Sequence, residues 1–144
     1  MLKCQHNYYK SMKVIQHSII KKYLKLSKLR VVELLLVTTV PSMIISIYGM
    51  PPLSLVIYTL SGGTLLAISA NVMNQVFEVE TDKLMQRTAD RPIVTGEISK
   101  INGVIFSVFC GLSGFIILYT LATPLSAFIA LSANFFYVFI YTLI

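Results

Sequence analysis

Residues 53–82, LSLVIYTLSGGTLLAISANVMNQVFEVETD, decide the fold class. Residues 53–77 of this stretch carry no charge and are mostly apolar, although Gly62 and Gly63 interrupt them. A bilayer core needs about 20 mostly apolar residues for each helical crossing. The stretch therefore predicts a transmembrane helix whose far end runs directly into a cluster of polar and acidic side chains.

Three further apolar segments predict three more crossings, at residues 31–48, 101–121 and 125–144. The chain of 144 residues is 56% hydrophobic and 12% charged, whereas soluble domains carry about 25% charged residues. That composition excludes a soluble domain and a disordered chain, and two cysteines exclude a disulfide scaffold. We predict an all-α, polytopic membrane helix bundle with four transmembrane helices.

The positive charges of the chain fall in two places. Residues 1–30 hold eight of the 12 Lys and Arg residues and no acid, and the other four lie between the second and third apolar segments. With four crossings these two regions share one side, which the positive-inside rule places in the cytoplasm. The predicted location is the cell (inner) membrane, or alternatively the mitochondrial inner membrane.

This charge map also predicts the domain organisation. Residues 1–30 form a basic cytoplasmic or interfacial segment, and residues 31–144 form the membrane domain, with a cytoplasmic loop at residues 78–100. Lysines beside a membrane are attracted to anionic lipid. Membrane lipid is therefore an expected partner and nucleic acid is not.

Oxygen ligands follow the end of the second segment at helical spacing. Asn74, Glu78 and Asp82 are related by i, i+4 and i+8 and share one helix face, which Asn71 also joins. Two carboxylates four residues apart repel each other on a helix, and a divalent cation removes that repulsion. Mg²⁺ prefers one or two carboxylates together with substrate phosphates and water, so this face is a candidate magnesium–diphosphate site.

Three cations follow the acids. Arg87 and Arg91 are again four residues apart and come after Lys83. Guanidinium groups hold phosphate or carboxylate in a bidentate fork, so a column of arginines after a column of acids suits a metal–diphosphate ligand. On spacing alone the alternative stays open that these charges only pair with one another at a solvated helix end.

The segment NQVFEVETD at residues 74–82 resembles the first aspartate-rich motif of the UbiA superfamily of intramembrane prenyltransferases, N-x-x-x-D-x-x-x-D, with Glu allowed in the middle. Together with MQRTADRPIVTGEIS at residues 85–99, it resembles the haem O synthase branch, the protohaem IX farnesyltransferases. Residues 25–41, KLSKLRVVELLLVTTVP, and residues 135–143, FFYVFIYTL, resemble the first and fourth helices of that branch.

The resemblance implies a reaction and roles for the site residues. Farnesyl diphosphate would be joined to the vinyl group of haem b, giving haem O and diphosphate. Asn74, Glu78 and Asp82 would be the catalytic residues that bind Mg²⁺ and the diphosphate. Arg87 and Arg91 would steady the diphosphate or the haem propionates, and supporting substrate contacts would come from Lys83, Asn71 and Tyr141.

The chain also departs from the family pattern. UbiA-type bundles have nine helices and a second acidic motif, but no acid follows Glu97 here. The expectation is therefore a truncated UbiA-like fold, inactive unless a complementary C-terminal half is supplied.

Two other functions stay open on the sequence. One is a UbiA relative that acts on an aromatic quinone precursor. The other is a non-catalytic membrane remnant whose helices only pack with a partner through their small residues. Those small residues are Ser61, Gly62, Gly63, Gly111, Ser113 and Gly114.

Overall fold

The computed structural model of the protein describes residues 21–27 and 29–141, without the side chains of residues 29–31, 35, 36 and 141. This part of the chain is helical and contains no strand. Residues 21–26 are helical and are called α1. The others are α2 (Leu29–Ile47), α3 (Leu53–Phe77), α4 (Val79–Leu84), α5 (Lys100–Ile117) and α6 (Pro124–Phe136). Helices α5 and α6 continue into π-helical turns at Leu118–Ala122 and Tyr137–Tyr141.

Helices occupy all four predicted apolar segments, so the all-α class is confirmed. By length and composition, Leu53–Phe77 and Lys100–Ala122 could each cross a membrane, whereas Val32–Ile47 and Pro124–Ile140 are shorter apolar helices. The sidedness of the bundle stays a prediction. The basic residues before position 21, Lys28 and residues 142–144 lie outside the described part.

Helices α3 and α5 form the main packing interface, and glycines bring them together. A Cβ atom added to Gly62 would lie 2.7 Å from the Cγ atom of Leu118, and one added to Gly114 would lie 2.7 Å from the carbonyl oxygen of Gly62. Small residues allow such close backbone approach between membrane helices. Gly62 and Gly114 therefore bring α3 and α5 of this chain together, whereas packing with a partner through the small residues stays a prediction.

Buried or half-buried polar side chains also connect α5 and α6 to α3 inside the bundle. The hydroxyl of Ser107 donates to the carbonyl oxygen of Ser69 at 2.8 Å, and both residues are buried. The amide of Asn134 on α6 donates to the carbonyl oxygen of Leu66 on α3 at 2.8 Å. These contacts hold α5 and α6 against α3 at fixed register.

An apolar cluster lies at the end of α3 that carries the acids. It joins α1, α3, α4 and the loop before α5, and its buried members are Leu26, Val72, Val79, Ile93 and Ile98. Gly96 in that loop has a φ angle of 77°, which favours glycine. The cluster fixes the loop and α1 beside the candidate site.

Candidate functional site

The predicted ligand face lies across the junction of α3 and α4. Glu78 separates the two helices with φ −86° and ψ 11°. The backbone N–H of Glu78 still donates to the carbonyl oxygen of Asn74 at 2.9 Å, and that of Asp82 donates to Glu78 at 2.8 Å. Because the i, i+4 bonding continues across the break, the three residues keep the shared face that their spacing predicts.

Two of these three side chains are withdrawn from solvent. Asn74 is 4% exposed and Asp82 is 1% exposed, and the amide of Asn74 donates to the Oε2 atom of Glu78 at 2.9 Å. A buried carboxylate is costly unless it is paired or coordinates a cation. The burial of Asp82 therefore requires a positive partner.

Arg91 supplies that positive charge from the loop. Its Nη1 atom donates a hydrogen bond to the Oδ2 atom of Asp82 and lies 3.8 Å from the Oε2 atom of Glu78. The prediction that Arg87 and Arg91 share one helix face after the acids is wrong, because residues 86–96 form turns instead of a helix. The hydroxyl of Thr88 donates to the carbonyl oxygen of Asp82 at 3.0 Å and folds the loop back. Arg91 thus reaches the acids while Arg87 stays exposed.

The donor set of this face suits a magnesium ion that is shared with a phosphate ligand. The Oδ1 atom of Asp82 is buried and has no hydrogen-bond partner among the described residues. Within the same residues, no group of three or more His, Cys, Asp or Glu could hold a metal ion. Mg²⁺ usually takes one or two carboxylates and completes its shell with water and substrate phosphates. The face therefore fits a shared ion better than a cage made only by protein.

Two other predicted site residues, Asn71 and Lys83, do not join this face. Asn71 is 5% exposed and turns toward an apolar cavity of 340 Å³ between α3 and α6. Its Nδ2 atom lacks a hydrogen-bond partner in the described part of the chain. Lys83 instead pairs with Glu80 at 2.9 Å. The side chain of Tyr141 lies outside the described part.

Two residues near the site escaped the sequence analysis. The Nζ atom of Lys25 on α1 donates to the carbonyl oxygen of Asp90 at 2.7 Å and to its Oδ2 atom at 2.9 Å. The amide of Gln75 donates to the carbonyl oxygen of Leu26 at 2.7 Å. Both contacts join segments far apart in sequence. Among eight basic residues before position 31, nothing in the spacing distinguished Lys25.

The contact between Lys25 and Asp90 gives a testable titration. The pKa of Asp90 is lowered because Lys25 donates to its carboxylate and carries positive charge. The contact therefore stabilises the fold above the unfolded pKa of aspartate, and the stabilisation is lost as pH falls through the lower folded pKa. We expect Lys25→Gln to raise the pKa of Asp90 toward its ordinary value, as measured by NMR.

Lys22→Gln is the matched control for this titration, because Lys22 lies on the same helix and pairs with Glu97 at 3.6 Å. It should leave the pKa of Asp90 unchanged. Equal Asp90 titration curves for the unchanged chain and Lys25→Gln would contradict the contact.

Comparisons with known proteins point to one family of enzymes. Residues 35–144 match the UbiA prenyltransferase family. The chain is 48% identical over 124 residues to the protoheme IX farnesyltransferase of Pseudarthrobacter chlorophenolicus, covering 86% of this chain and 39% of that protein. It is 47% identical over 124 residues to that of Paenarthrobacter aurescens, with the same 86% and 39% coverage.

A third relative is the protoheme IX farnesyltransferase 1 of Saccharopolyspora erythraea. It is 42% identical over 132 residues, which are 92% of this chain and 42% of the relative. No solved structure matches the chain significantly. The chain thus spans about two fifths of the length of these curated relatives.

Proposed function

Because the chain belongs to the UbiA prenyltransferase family, we propose that it provides the diphosphate-binding face of a protohaem IX farnesyltransferase. That enzyme would transfer farnesyl from farnesyl diphosphate to haem b and give haem O. The observation that carries the proposal is the shared face of Asn74, Glu78 and the buried Asp82, whose Oδ1 atom has no partner among the described residues.

In this proposal the residues of that face hold Mg²⁺ together with the diphosphate. The bound ion would supply positive charge to the leaving group. Arg91 lies against both acids, so it also lies beside any ligand that they hold. Arg87 is exposed on the same loop and brings a second guanidinium.

The protein contributes to the reaction by stabilising negative charge on the leaving group and by excluding water. The allylic carbon–oxygen bond of farnesyl diphosphate breaks, and its electron pair leaves on the diphosphate. Arg91 and Arg87 stabilise that developing negative charge, as preorganised cations do in phosphoryl sites. The apolar helices α3 and α5 keep water away from the allylic cation until it bonds to the vinyl group. One water molecule then adds to the cation formed beside the porphyrin ring and loses a proton, which gives the hydroxyl group of haem O.

The finer assignments form part of the same proposal. A complementary C-terminal half completes the site, since the chain spans about two fifths of its relatives. Residues 1–30 and the loop at residues 78–100 face the cytoplasm from the inner membrane. The mitochondrial inner membrane is the alternative location.

A rescue experiment tests this function. The chain is co-expressed, in cells lacking haem O synthase, with the C-terminal part of a full-length relative, and extracted haem O is measured by chromatography. We expect haem O from the unchanged chain, none from Glu78→Gln, and normal amounts from the control Glu80→Gln. Glu80 is a suitable control because it is exposed and pairs with Lys83 instead of Arg91.

Two outcomes of that rescue would contradict the proposal. Rescue only of cells that lack a quinone-precursor prenyltransferase would assign another acceptor. Haem O formation that is insensitive to Glu78→Gln would leave the chain a packing role only.

A further inference from the structure

A cavity of 390 Å³ lies between α1, α3 and the loop before α5. Its lining residues are Lys25, Gln75, Arg87, Thr88, Arg91 and Pro92. Three of these are cations and none is an acid. Lys25 and Arg91 also pair with Asp90 and Asp82, which lie outside the lining, so the cavity presents cationic donors to a ligand without an acid among its lining residues.

The floor of this cavity is built from buried polar side chains. Gln75 is 1% exposed and Thr88 is 3% exposed. The amide nitrogen of Gln75 donates to the carbonyl oxygens of Leu26 and Asn71, at 2.7 and 3.2 Å. Its buried Oε1 atom has no hydrogen-bond partner within the described residues. This acceptor is free to bind a water molecule, and such a water can in turn donate to an anionic oxygen of a ligand.

The cavity adjoins the acid face formed by Asn74, Glu78 and Asp82, because Arg91 lines the cavity and also contacts Asp82. Successive helical residues point about 100° apart, so Gln75 faces α1 while its neighbour Asn74 faces Glu78. Arg91 lies between the two sites and contacts Asp82 through its Nη1 atom. A ligand oxygen in the cavity would therefore meet a guanidinium that the buried Asp82 already positions.

We propose that this cavity binds the anionic oxygens of a substrate, diphosphate or carboxylate, and that Lys25 binds them together with Arg87 and Arg91. The proposal rests on the proposed function, which requires a diphosphate donor and an acceptor that carries carboxylates. It adds a role for the segment at residues 21–27, which brings a ligand-binding cation to the site.

The proposal predicts opposite effects on anion affinity when the charge of Asp90 or the charge of Lys25 is removed. Its carboxylate holds the Nζ atom of Lys25 at 2.9 Å and so competes with a ligand for that ammonium group. Removal of the Asp90 charge should strengthen anion binding, while removal of the Lys25 charge should weaken it. A purely structural ion pair would respond alike to both changes, because either change breaks it.

The test measures binding to the purified chain in lipid nanodiscs by calorimetry. One probe is inorganic diphosphate in EDTA, and the other is mesoporphyrin IX, with its dimethyl ester as the uncharged reference. We expect Lys25→Gln to weaken binding of one probe roughly fivefold, and Asp90→Asn to tighten it roughly twofold. Lys22→Gln, which removes a charge from the same helix outside the cavity, should change neither.

The affected probe identifies the substrate. An effect on diphosphate assigns the cavity to the donor, and an effect on mesoporphyrin but not on its ester assigns it to the acceptor. Affinities for both probes that are unchanged in Lys25→Gln, or that change in the same direction in Lys25→Gln and Asp90→Asn, would overturn the proposal. In that case, haem O formation sensitive to Glu78→Gln would still support the proposed function.

Discussion

Asp82→Asn is expected to lower the free energy of unfolding by about 3 kcal/mol and to abolish magnesium-dependent diphosphate binding. The stability loss follows because the substitution leaves the Arg91 guanidinium, whose side chain is only 14% exposed, without its closest charge partner. Denaturation in mixed micelles, followed by circular dichroism, measures the first effect. Calorimetric titration with diphosphate and Mg²⁺ measures the second.

The double variant Asp82→Asn with Arg91→Gln separates these two effects. It removes both charges, so most of the lost stability should return, because an uncharged pair leaves no unpaired charge in the interior. Magnesium-dependent diphosphate binding should stay absent, because the face of Asn74, Glu78 and Asp82 has lost a carboxylate and the neighbouring guanidinium. Normal magnesium-dependent diphosphate binding by the double variant would show that Asp82 and Arg91 only stabilise the fold.

Gly114→Ala is expected to destabilise the bundle by about 2 kcal/mol, and Gly114→Leu to prevent α3 and α5 from packing. The added Cβ atom would lie 2.7 Å from the carbonyl oxygen of Gly62 and 3.0 Å from the backbone nitrogen of Leu66. Backbone atoms inside a helix cannot move aside as a side chain can, so the two helices must separate. Unfolding in mixed micelles measures the loss.

Gly63→Ala is the matched control for the packing prediction. Gly63 adjoins Gly62, but a Cβ atom there would meet nothing within 4 Å. Since alanine is favoured over glycine in a helix by about 0.5–1 kcal/mol, Gly63→Ala should be neutral or slightly stabilising. Equal destabilisation by Gly63→Ala and Gly114→Ala would contradict the close helix crossing.

Local spacing was enough to predict the helices and the acid face. Residues 53–77 are uncharged and long enough for a membrane helix, and the structure places α3 at Leu53–Phe77. Asn74, Glu78 and Asp82 share a face because the i, i+4 hydrogen bonding continues through the break at Glu78. Such features depend only on residues a few positions apart.

The loop contacts could not be predicted in the same way. Arg91 reaches Asp82 through turns at residues 86–96, and Lys25 reaches Asp90 across 65 positions of sequence. The spacing of polar and apolar residues along the sequence does not predict either of these contacts. Asn71 was assigned to the acid face by its i, i+3 spacing, but it lines a different cavity because α6 packs on that side of α3.

The most direct test of the magnesium–diphosphate site is calorimetric titration of inorganic diphosphate into the purified chain, with Mg²⁺ and then with EDTA. We expect Mg²⁺ to tighten binding at least tenfold in the unchanged chain and in Glu80→Gln, and to have no effect in Glu78→Gln. Diphosphate affinity that is the same with Mg²⁺ and with EDTA, or a magnesium effect that persists in Glu78→Gln, would contradict the account.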